Sequence, residues 1–370
     1  MKTALKILLG LIVVVAAYLA FWPVPISPQK WEAPTDQGFT GAFEANTRLA
    51  AIERIPLPEG YHGPEDVVIA EEAGREIAYT TSQDGVILRV DTEAGTSTVF
   101  AETGGVPLGM ERDADGNFIV ADAFRGLLSV SPDGRSVTVL TDEVDGSPIL
   151  YADDLDIGPD GVIYFSDAST KFGAEAIGNT MAASLLEISE QGLTGRFLSY
   201  DPSTGETRLI ADGYSFANGV AMCASGDCIL VAETGRYKID KIYVSGPKAG
   251  QIETIMDNLP GFPDNINRGG LVDGKATYWV GLASPRSAQL DQVDAQPFMR
   301  SLMFRLPAAW RPAATHYSIV FQIDEDGEVL QTLQDPAGTY PVTTGAIEGD
   351  GWLYITSLET YDLGRIRYPQ

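Results

Sequence analysis

The stretch FPDNINRGG, residues 262–270, concentrates side chains with hard oxygen donors. Asp264, Asn265 and Asn267 follow closely behind Pro263, just before an apolar, strand-like run. Asp and Asn in such a place either cap a turn through their own backbone or bind a hard cation. Which interpretation holds depends on whether other parts of the chain bring oxygen donors to the same place.

The elements that would position these side chains are short β-type runs separated by Gly/Asp turns. The same order of runs and turns recurs in six units of about 40 residues, the length of a four-stranded propeller blade. The units begin near residues 64, 107, 152, 217, 263 and 343. This pattern predicts an all-β fold, a six-bladed β-propeller. The last unit ends early, and residues 43–57 could supply its missing outer strand. A pair of β-sandwiches is the alternative, but it does not explain the sixfold register.

Aligning the units on their first turn assigns one residue of each to the start of an inner strand. These residues are Glu65, Leu108 or Gly109, Asp153, Asn218, Asp264, and Thr343 or Thr344. Inner strands line the central channel and begin at the same end, so the four acidic and amide members should converge on the axis.

Several carboxylates held together destabilise a fold unless something compensates their charge. A cation would do so, and a donor set made only of oxygens indicates Ca²⁺, with Mg²⁺ as the second choice. The alternative is that each residue merely caps a turn. The predicted metal ligands are Glu65, Asp153, Asn218, Asp264 and Asn265.

The overall charge favours cations over polyanions as ligands. The 370 residues include 25 basic and 51 acidic ones, for a net charge of −26. Such a surface repels nucleic acid. Hydrophobic residues make up 44% of the chain, which excludes a disordered acidic protein.

The N-terminus predicts a membrane anchor. An apolar run over residues 4–22, behind Lys2 and interrupted by Lys6, is just long enough to span a bilayer. The leading positive charges predict a cytoplasmic N-terminus, with the bulk of the chain on the extracytoplasmic (periplasmic or lumenal) side. A signal peptide cleaved after VAA, residues 15–17, is the alternative. The predicted organisation is an anchor or signal peptide over 1–22, a Pro-rich linker over 23–42 and the propeller over 43–370.

The cysteines of the chain, Cys223 and Cys228, are spaced to face each other across a hairpin turn. In an oxidising compartment this spacing predicts a local disulfide. Two buried free thiols are the alternative. A zinc site is disfavoured, because four ligands are normally needed and His62 and His316 are remote in sequence.

Beyond these patterns, the motifs GPEDVVI, YADDLDIGPDGVIYFSDAS, FANGVAM and LPGFPDNI, in this order and spacing, resemble the strictosidine synthase-like proteins over about residues 55–370. The wider superfamily includes paraoxonases and the regucalcin/gluconolactonase group, all six-bladed propellers, whose hydrolytic members hold a catalytic calcium on the axis. The resemblance implies the same five ligands as the repeat register. It also implies a second, structural calcium at Asp66 and Asp154.

Two departures from the family patterns bear on activity. Strictosidine synthase condenses an amine with an aldehyde by means of a glutamate near the last blade, where the nearest position here is Thr339. The histidine pair attributed to paraoxonases has no counterpart in the matching stretches. His62 precedes Glu65 and could reach the channel mouth, or it could be an ordinary loop histidine.

These features lead to the expectation of a calcium-dependent hydrolase of small esters or lactones, in which Asp264 takes the proton from the attacking water. Inserts at 169–195 and 285–317 would cover the mouth and select the substrate, or else pack on the blades or rest on the membrane. Their aromatic residues include Phe172, Phe298 and Trp310. The rival function is a non-catalytic binding platform in which calcium only stiffens the ring.

Overall fold

The computed structural model describes residues 2–307, 310–311 and 314–368. Met1 of the predicted anchor lies outside the described residues. So do residues 308–309 and 312–313 of the second predicted insert, and residues 369–370 at the end of the predicted propeller.

Six four-stranded antiparallel sheets form the body of the molecule, which confirms the predicted six-bladed propeller and excludes the paired sandwiches. The first three blades, from axis to rim, are β2 (Val67–Glu72), β3 (Arg75–Ser82), β4 (Val86–Asp91) and β5 (Thr96–Glu102); β6 (Pro107–Arg112), β7 (Phe118–Asp122), β8 (Gly126–Val130) and β9 (Val137–Thr141); and β12 (Ala152–Ile157), β13 (Ile163–Asp167), β14 (Gly195–Asp201) and β15 (Glu206–Tyr214). The next two are β16 (Ala217–Met222), β17 (Cys228–Glu233), β18 (Lys238–Tyr243) and β19 (Ile252–Met256); and β20 (Gly261–Val272), β21 (Lys275–Pro285), β22 (Ser318–Asp324) and β23 (Val329–Asp335). A small hairpin, β10 (Glu143–Val144) and β11 (Ser147–Pro148), separates the second and third blades.

The sixth blade joins the two ends of the propeller. It consists of β24 (Thr343–Gly349), β25 (Trp352–Ser357), β26 (Asp362–Arg367) and β1 (Glu53–Pro56). The β1 strand pairs antiparallel with β26, with Ile55 opposite Leu363, and so supplies the outer strand that the repeat pattern lacked. The inner strands of neighbouring blades contact one another around the ring, and β2 contacts β24 to complete it.

The hydrophobic core is divided among the six interfaces between blades. Each interface has its own buried cluster, for example Ile77 and Tyr79 of the first blade against Phe118 and Val120 of the second. The middle strands β7, β13 and β17 are buried along their whole length because each blade is covered on both faces. Their mostly apolar sequences, FIVAD, IYFSD and CILVAE, suit strands that are covered on both faces.

Helices occur at the N-terminus and in the two predicted inserts. They are α1 (Lys2–Phe21), α2 (Ala174–Ile177), α3 (Thr180–Glu190), α4 (Ala288–Asp291) and α5 (Pro297–Arg305), with short 3₁₀ turns at Gly41–Phe43, Thr234–Arg236 and Gly246–Lys248. By length and composition α1 could cross a membrane, and none of its described residues is buried. It fits a membrane anchor.

The segment between α1 and the first 3₁₀ turn, predicted as a linker, has no helix or strand but is packed against the propeller. Gln29 N donates to Glu190 O (2.8 Å) at the end of α3. The Arg286 guanidinium donates to Pro34 O (2.7 Å), and the ring of Trp31 lies 5.9 Å from that of Tyr237. We call residues 23–40 the strap, because these contacts tie the region after α1 to both inserts.

Cys223 and Cys228 form a disulfide across the turn between β16 and β17. The backbone N–H of Cys223 donates to Cys228 O (2.9 Å), so the bond staples a hairpin end that is already paired. Both residues are buried beside the far end of the channel.

Candidate metal centre

A β-bulge at the start of the inner strands positions the candidate residues. Five of the six blades shift register there, skipping two residues each, and in the first blade Glu65 and Asp66 stand immediately before β2. The shifts lie between Pro107 and Met110, Ala152 and Leu155, Ala217 and Val220, Pro263 and Ile266, and Thr343 and Ala346. A bulge releases residues from the ladder and re-aims their side chains, here at the channel axis.

The first residue of each bulge, together with Glu65 of the first blade, contributes to one ring at the mouth of the channel. Glu65, Leu108, Asp153, Asn218 and Asp264 all line the same cavity. In the sixth blade the corresponding residue is Thr344, whose hydroxyl donates to Glu65 O (2.5 Å). The structure therefore brings together the residues that the repeat register selected.

Two amides orient the carboxylates of this ring. Asn218 Nδ2 donates to Asp264 Oδ1 (2.7 Å), and Asn265 Nδ2 donates to Glu65 Oε1 (2.9 Å). With their N–H groups used in this way, both amides turn their oxygens to other directions. Asn265 is thus a member of the ring although it is the second residue of its bulge.

Four oxygens of the ring are buried without a hydrogen-bond donor among the described residues. They are Glu65 Oε2, Asp153 Oδ2, Asn218 Oδ1 and Asn265 Oδ1. A buried polar atom without a partner costs about 1–3 kcal/mol, so four at one site indicate a missing positive partner. Carboxylate and amide oxygens are the donors that Ca²⁺ prefers, and the ring fits such an ion.

The spacing of the carboxylates is open rather than clustered. Among the described residues, no choice of one oxygen each from Glu65, Asp153 and Asp264 places all three within 4.8 Å of one another. The tighter group of Cys223, Cys228 and Glu325 is no metal site, because its sulfurs form the disulfide.

Among the described residues, no basic side chain compensates the negative charge of the ring. Burial, then Asp264 and other nearby carboxylates, raises the pKa of Glu65 well above its usual range. Burial and Asp264 do the same to the pKa of Asp153. Burial raises the pKa of Asp264 to about 7, although the hydrogen bond from Asn218 opposes the rise. A cation would remove these shifts.

The second bulge residues form a deeper layer in which each carboxylate is satisfied by the protein. Asp66 accepts from Met110 N (2.8 Å) and from Asn267 Nδ2 (3.0 Å). Asp154 accepts from Val220 N (2.8 Å) and from its own next residue (2.8 Å). Each carboxylate thus links its inner strand to the next blade. That role accounts for both residues without an ion, so the second metal site stays a prediction with weaker support than the upper ring.

Glycine occupies the second bulge position where a neighbouring blade comes close. A Cβ placed on Gly109 would lie 2.5 Å from Asp154 Oδ1, and one placed on Gly219 would lie 2.4 Å from Asp264 O. Close approach of the inner strands therefore excludes side chains at these positions. Any side-chain oxygens of the deeper layer must therefore come from the blades that have no glycine at this position.

At the far end of the channel the acidic residues do have a basic partner. Arg268 donates to both oxygens of Asp156 (2.8 Å each). Burial and the charges of Asp156 and Asp66 nevertheless raise the pKa of Glu111 to about 8. The channel thus carries an ion pair at one end and uncompensated carboxylates at the other.

The chelated protein is expected to lose stability as the pH rises. Folded-state pKa values of about 6 for Asp66, 7 for Asp264 and 8 for Glu111 exceed the values of 3.8 to 4.5 for free side chains. The folded chain then holds more protons than the unfolded chain, so the free energy of unfolding falls between about pH 4 and pH 8. The charged groups facing them are Glu65, Asp153, Asp154, Asp156 and Arg268. Thermal unfolding in chelator across this range measures the slope, and a stability that rises with pH would contradict it.

Apolar side chains of the inserts wall the cavity above the ring. The cavity measures about 100 Å³, and α3 contributes Met181, Leu185 and Ile188. Leu290 of α4 and the bulge neighbour Phe262 complete much of the wall. Sequence reasoning missed these residues, although the spacing of 181, 185 and 188 is that of one helix face.

The aromatic residues expected to select the substrate lie elsewhere. Phe172 is buried and packs with Ile26 of the strap and Leu186. Phe298 and Trp310 are 57% and 72% exposed and are not among the residues that line the cavity. Both inserts do cover the mouth, but with other side chains than predicted.

Neither of the positions compared with the family's catalytic bases, His62 and Thr339, lines the cavity. His62 Nδ1 lies 2.8 Å from Asp84 Oδ2, and His62 lines a separate cavity of about 410 Å³. Thr339 sits in an exposed turn, where its hydroxyl donates to Asp335 Oδ2 (2.7 Å). The sixth blade borders the metal cavity with Val342 and Leu358, which carry no titratable group.

Comparison with known proteins gives matches over most of the chain. Residues 153–247 match the family model described as strictosidine synthase, and residues 41–90 match strictosidine synthase-like, N-terminal. Adipocyte plasma membrane-associated protein of Rattus norvegicus is 31% identical over 360 residues, which cover 91% of each chain. Strictosidine synthase-like protein 13 of Arabidopsis thaliana is 32% identical over 292 residues, covering 75% of this chain and 70% of the relative.

Solved propellers with low sequence identity share the fold. A gluconolactonase of Xanthomonas campestris superposes with a TM-score of 0.58 at 17% identity, covering 93% of this chain and 98% of the other. The calcium-binding protein regucalcin of Agrobacterium tumefaciens gives 0.55 at 12% identity, covering 84% and 94%. At these identities the likeness establishes architecture alone.

Proposed function

Because the chain belongs to the strictosidine synthase-like family, we propose that it is a membrane-anchored, calcium-dependent hydrolase of esters or lactones. The family relationship establishes the fold and the layout of the chain. The choice of reaction rests on the chemistry of the mouth of the channel.

The observation that carries the proposal is the set of four buried, unpartnered oxygens beneath an apolar cavity. A structural ion would be served equally well by a closed site deep in the channel. This ring instead opens into a cavity, so a bound ion could be reached by a small molecule. The solved gluconolactonase and regucalcin are a lactonase and a calcium-binding protein by their own descriptions, which agrees with this assignment.

When bound, calcium would offset most of the negative charge of the ring and would act as a Lewis acid toward a substrate carbonyl. Asp264 is the residue placed to take the proton from an attacking water. Asp264 lines the cavity, and its Oδ1 accepts a hydrogen bond from Asn218. Its Oδ2 accepts none from the described residues, and this oxygen is available to a water.

The cavity wall indicates the class of substrate. Met181, Leu185, Ile188 and Leu290 present hydrocarbon, which favours an apolar acyl or aryl group and excludes water from the reacting centre. Thr339 occupies the place of the synthase glutamate and lies outside the cavity. This position argues against the amine–aldehyde condensation of strictosidine synthase.

The anchor determines where this reaction would occur. Lys2 and Lys6 at the start of α1 favour a cytoplasmic N-terminus, and the propeller would then lie on the extracytoplasmic side. The disulfide between Cys223 and Cys228 agrees with an oxidising compartment.

The test is hydrolysis of phenyl acetate and a panel of small lactones by the full chain in nanodiscs. Turnover should fall to background in chelator and return when calcium is added. Hydrolysis that persists in chelator would contradict a metal-dependent reaction. If no substrate turns over while calcium still raises the melting temperature, the binding-platform function is favoured instead.

A further inference from the structure

The end of the anchor helix is held by the second insert. Arg305, the last residue of α5, donates to Trp22 O (2.7 Å) and to Leu19 O (3.2 Å). In return the Tyr18 hydroxyl donates to Arg305 O (3.1 Å). If α1 spans the bilayer, its last turn lies at the membrane surface, so α5 must lie at the same depth.

The outer surface of α5 and the residues that follow it is apolar. Phe298 is 57%, Met299 37% and Trp310 72% exposed. On the neighbouring α3, Leu185 is 41% exposed. Large exposed apolar side chains often mark a binding surface, and Trp is enriched where protein meets the lipid headgroups.

The charge of this segment differs from that of the rest of the chain. Residues 295–323 contain Arg300, Arg305 and Arg311 and no acidic residue, although the chain has 51 acidic and 25 basic residues. Arg305 ends α5, and Arg311 directly follows Trp310 in sequence. An amphipathic helix with Phe on one side and Arg beside it is typical of helices that lie in the membrane interface.

Buried contacts join this surface to the mouth of the channel. The Arg300 guanidinium donates to Ser189 O on α3 (2.9 Å), to Asp294 O (2.6 Å) and to Gln29 O of the strap. Because α3 walls the cavity above the ring and is bonded to α5, the orientation of α5 relative to the membrane also sets the direction in which the mouth faces.

We propose that α5 and Trp310 lie in the headgroup region of the bilayer, so that the mouth of the channel faces the membrane. The partner is the lipid surface itself, reached next to the point where α1 leaves it. A ligand that partitions into lipid would then meet the cavity without crossing bulk water. This docking surface does not depend on the hydrolase function, since a binding platform would be oriented in the same way.

The test uses the full chain in proteoliposomes of phosphatidylcholine, with a polarity-sensitive fluorophore on an introduced cysteine. The native cysteines are joined in a disulfide, so the new thiol is the one that reacts. Phe298→Cys places the label on α5, and Asp160→Cys places it on an exposed turn at the opposite end of the channel. Trp310→Cys is a second label site on the proposed surface.

Labels at 298 and 310 should emit at shorter wavelength than the label at 160 and should lose most of their emission when the lipid chains are brominated near the headgroup. The label at 160 should be unaffected. Equal emission and equal quenching at all three positions would overturn the proposal, because the anchor would then hold the propeller away from the bilayer.

Discussion

Replacing Asp264 by asparagine is expected to lower kcat for ester or lactone hydrolysis by about 100- to 10,000-fold, the usual contribution of a positioned general base. Asparagine has nearly the same shape and keeps one oxygen at the ring. Calcium binding should therefore weaken without being abolished, and the loss at saturating calcium should appear in kcat rather than in KM. Steady-state kinetics with calcium titration of the same sample separates the two effects.

The matched control for this variant is Asp273→Asn on the same pair of strands. Asp273 is an exposed turn residue between β20 and β21 with a positive φ of 50°, which asparagine tolerates. Its replacement should leave kcat unchanged. If Asp264→Asn keeps full kcat at saturating calcium, another group takes the proton. If it loses calcium binding altogether, Asp264 is a ligand and its role as a base is unsupported.

Calcium removal should lower the melting temperature by on the order of 10 °C. An ion present at a hundred to a thousand times its Kd stabilises the folded state by about 3–4 kcal/mol. For a chain of this size each kcal/mol corresponds to about 2–4 °C. The physical reason is that removal leaves several buried carboxylates without a positive partner.

Glu65→Gln should change the melting temperature in opposite directions in the absence and in the presence of calcium. In chelator at pH 8 the variant should melt above the native chain, because one buried carboxylate is gone. In calcium it should melt below the native chain, because a charged ligand is gone. Glu71→Gln, exposed on the following strand β2, is the control and should shift neither curve. A native chain whose melting temperature is the same in calcium and in chelator would rule out the metal centre.

The fold was predictable because its information is local and repeated. About 40 residues contain the complete pattern of strands and turns of one blade. The same pattern recurs six times, which strengthens the prediction for each blade. The same repetition predicts that Glu65, Asp153 and Asp264 meet at one end of the channel. The inner strands of all blades have the same direction, so they all begin at that end. Even ring closure by residues 43–57 was predictable, because the last unit lacked one strand.

The deeper layer of the channel was not predictable in the same way. Asp66 and Asp154 stand next to Glu65 and Asp153 in sequence and carry the same charge. Only the packing of adjacent blades shows that backbone N–H groups of Met110 and Val220 use their oxygens. Within the described part of the chain, the upper carboxylates accept no such backbone N–H, and that contrast distinguishes a candidate ligand from a structural link.

The sequence by itself determined the six blades, the apolar N-terminal helix and the set of oxygen donors at one end of the channel. These features depend on periodicity, composition and register, which a linear chain displays. The tertiary structure alone decided which residues wall the cavity and which way its mouth faces. Arg300 meets the strap and Arg305 meets the anchor across more than 270 residues of chain. No local pattern encodes a contact between segments that far apart, because it arises only when the complete ring brings them together.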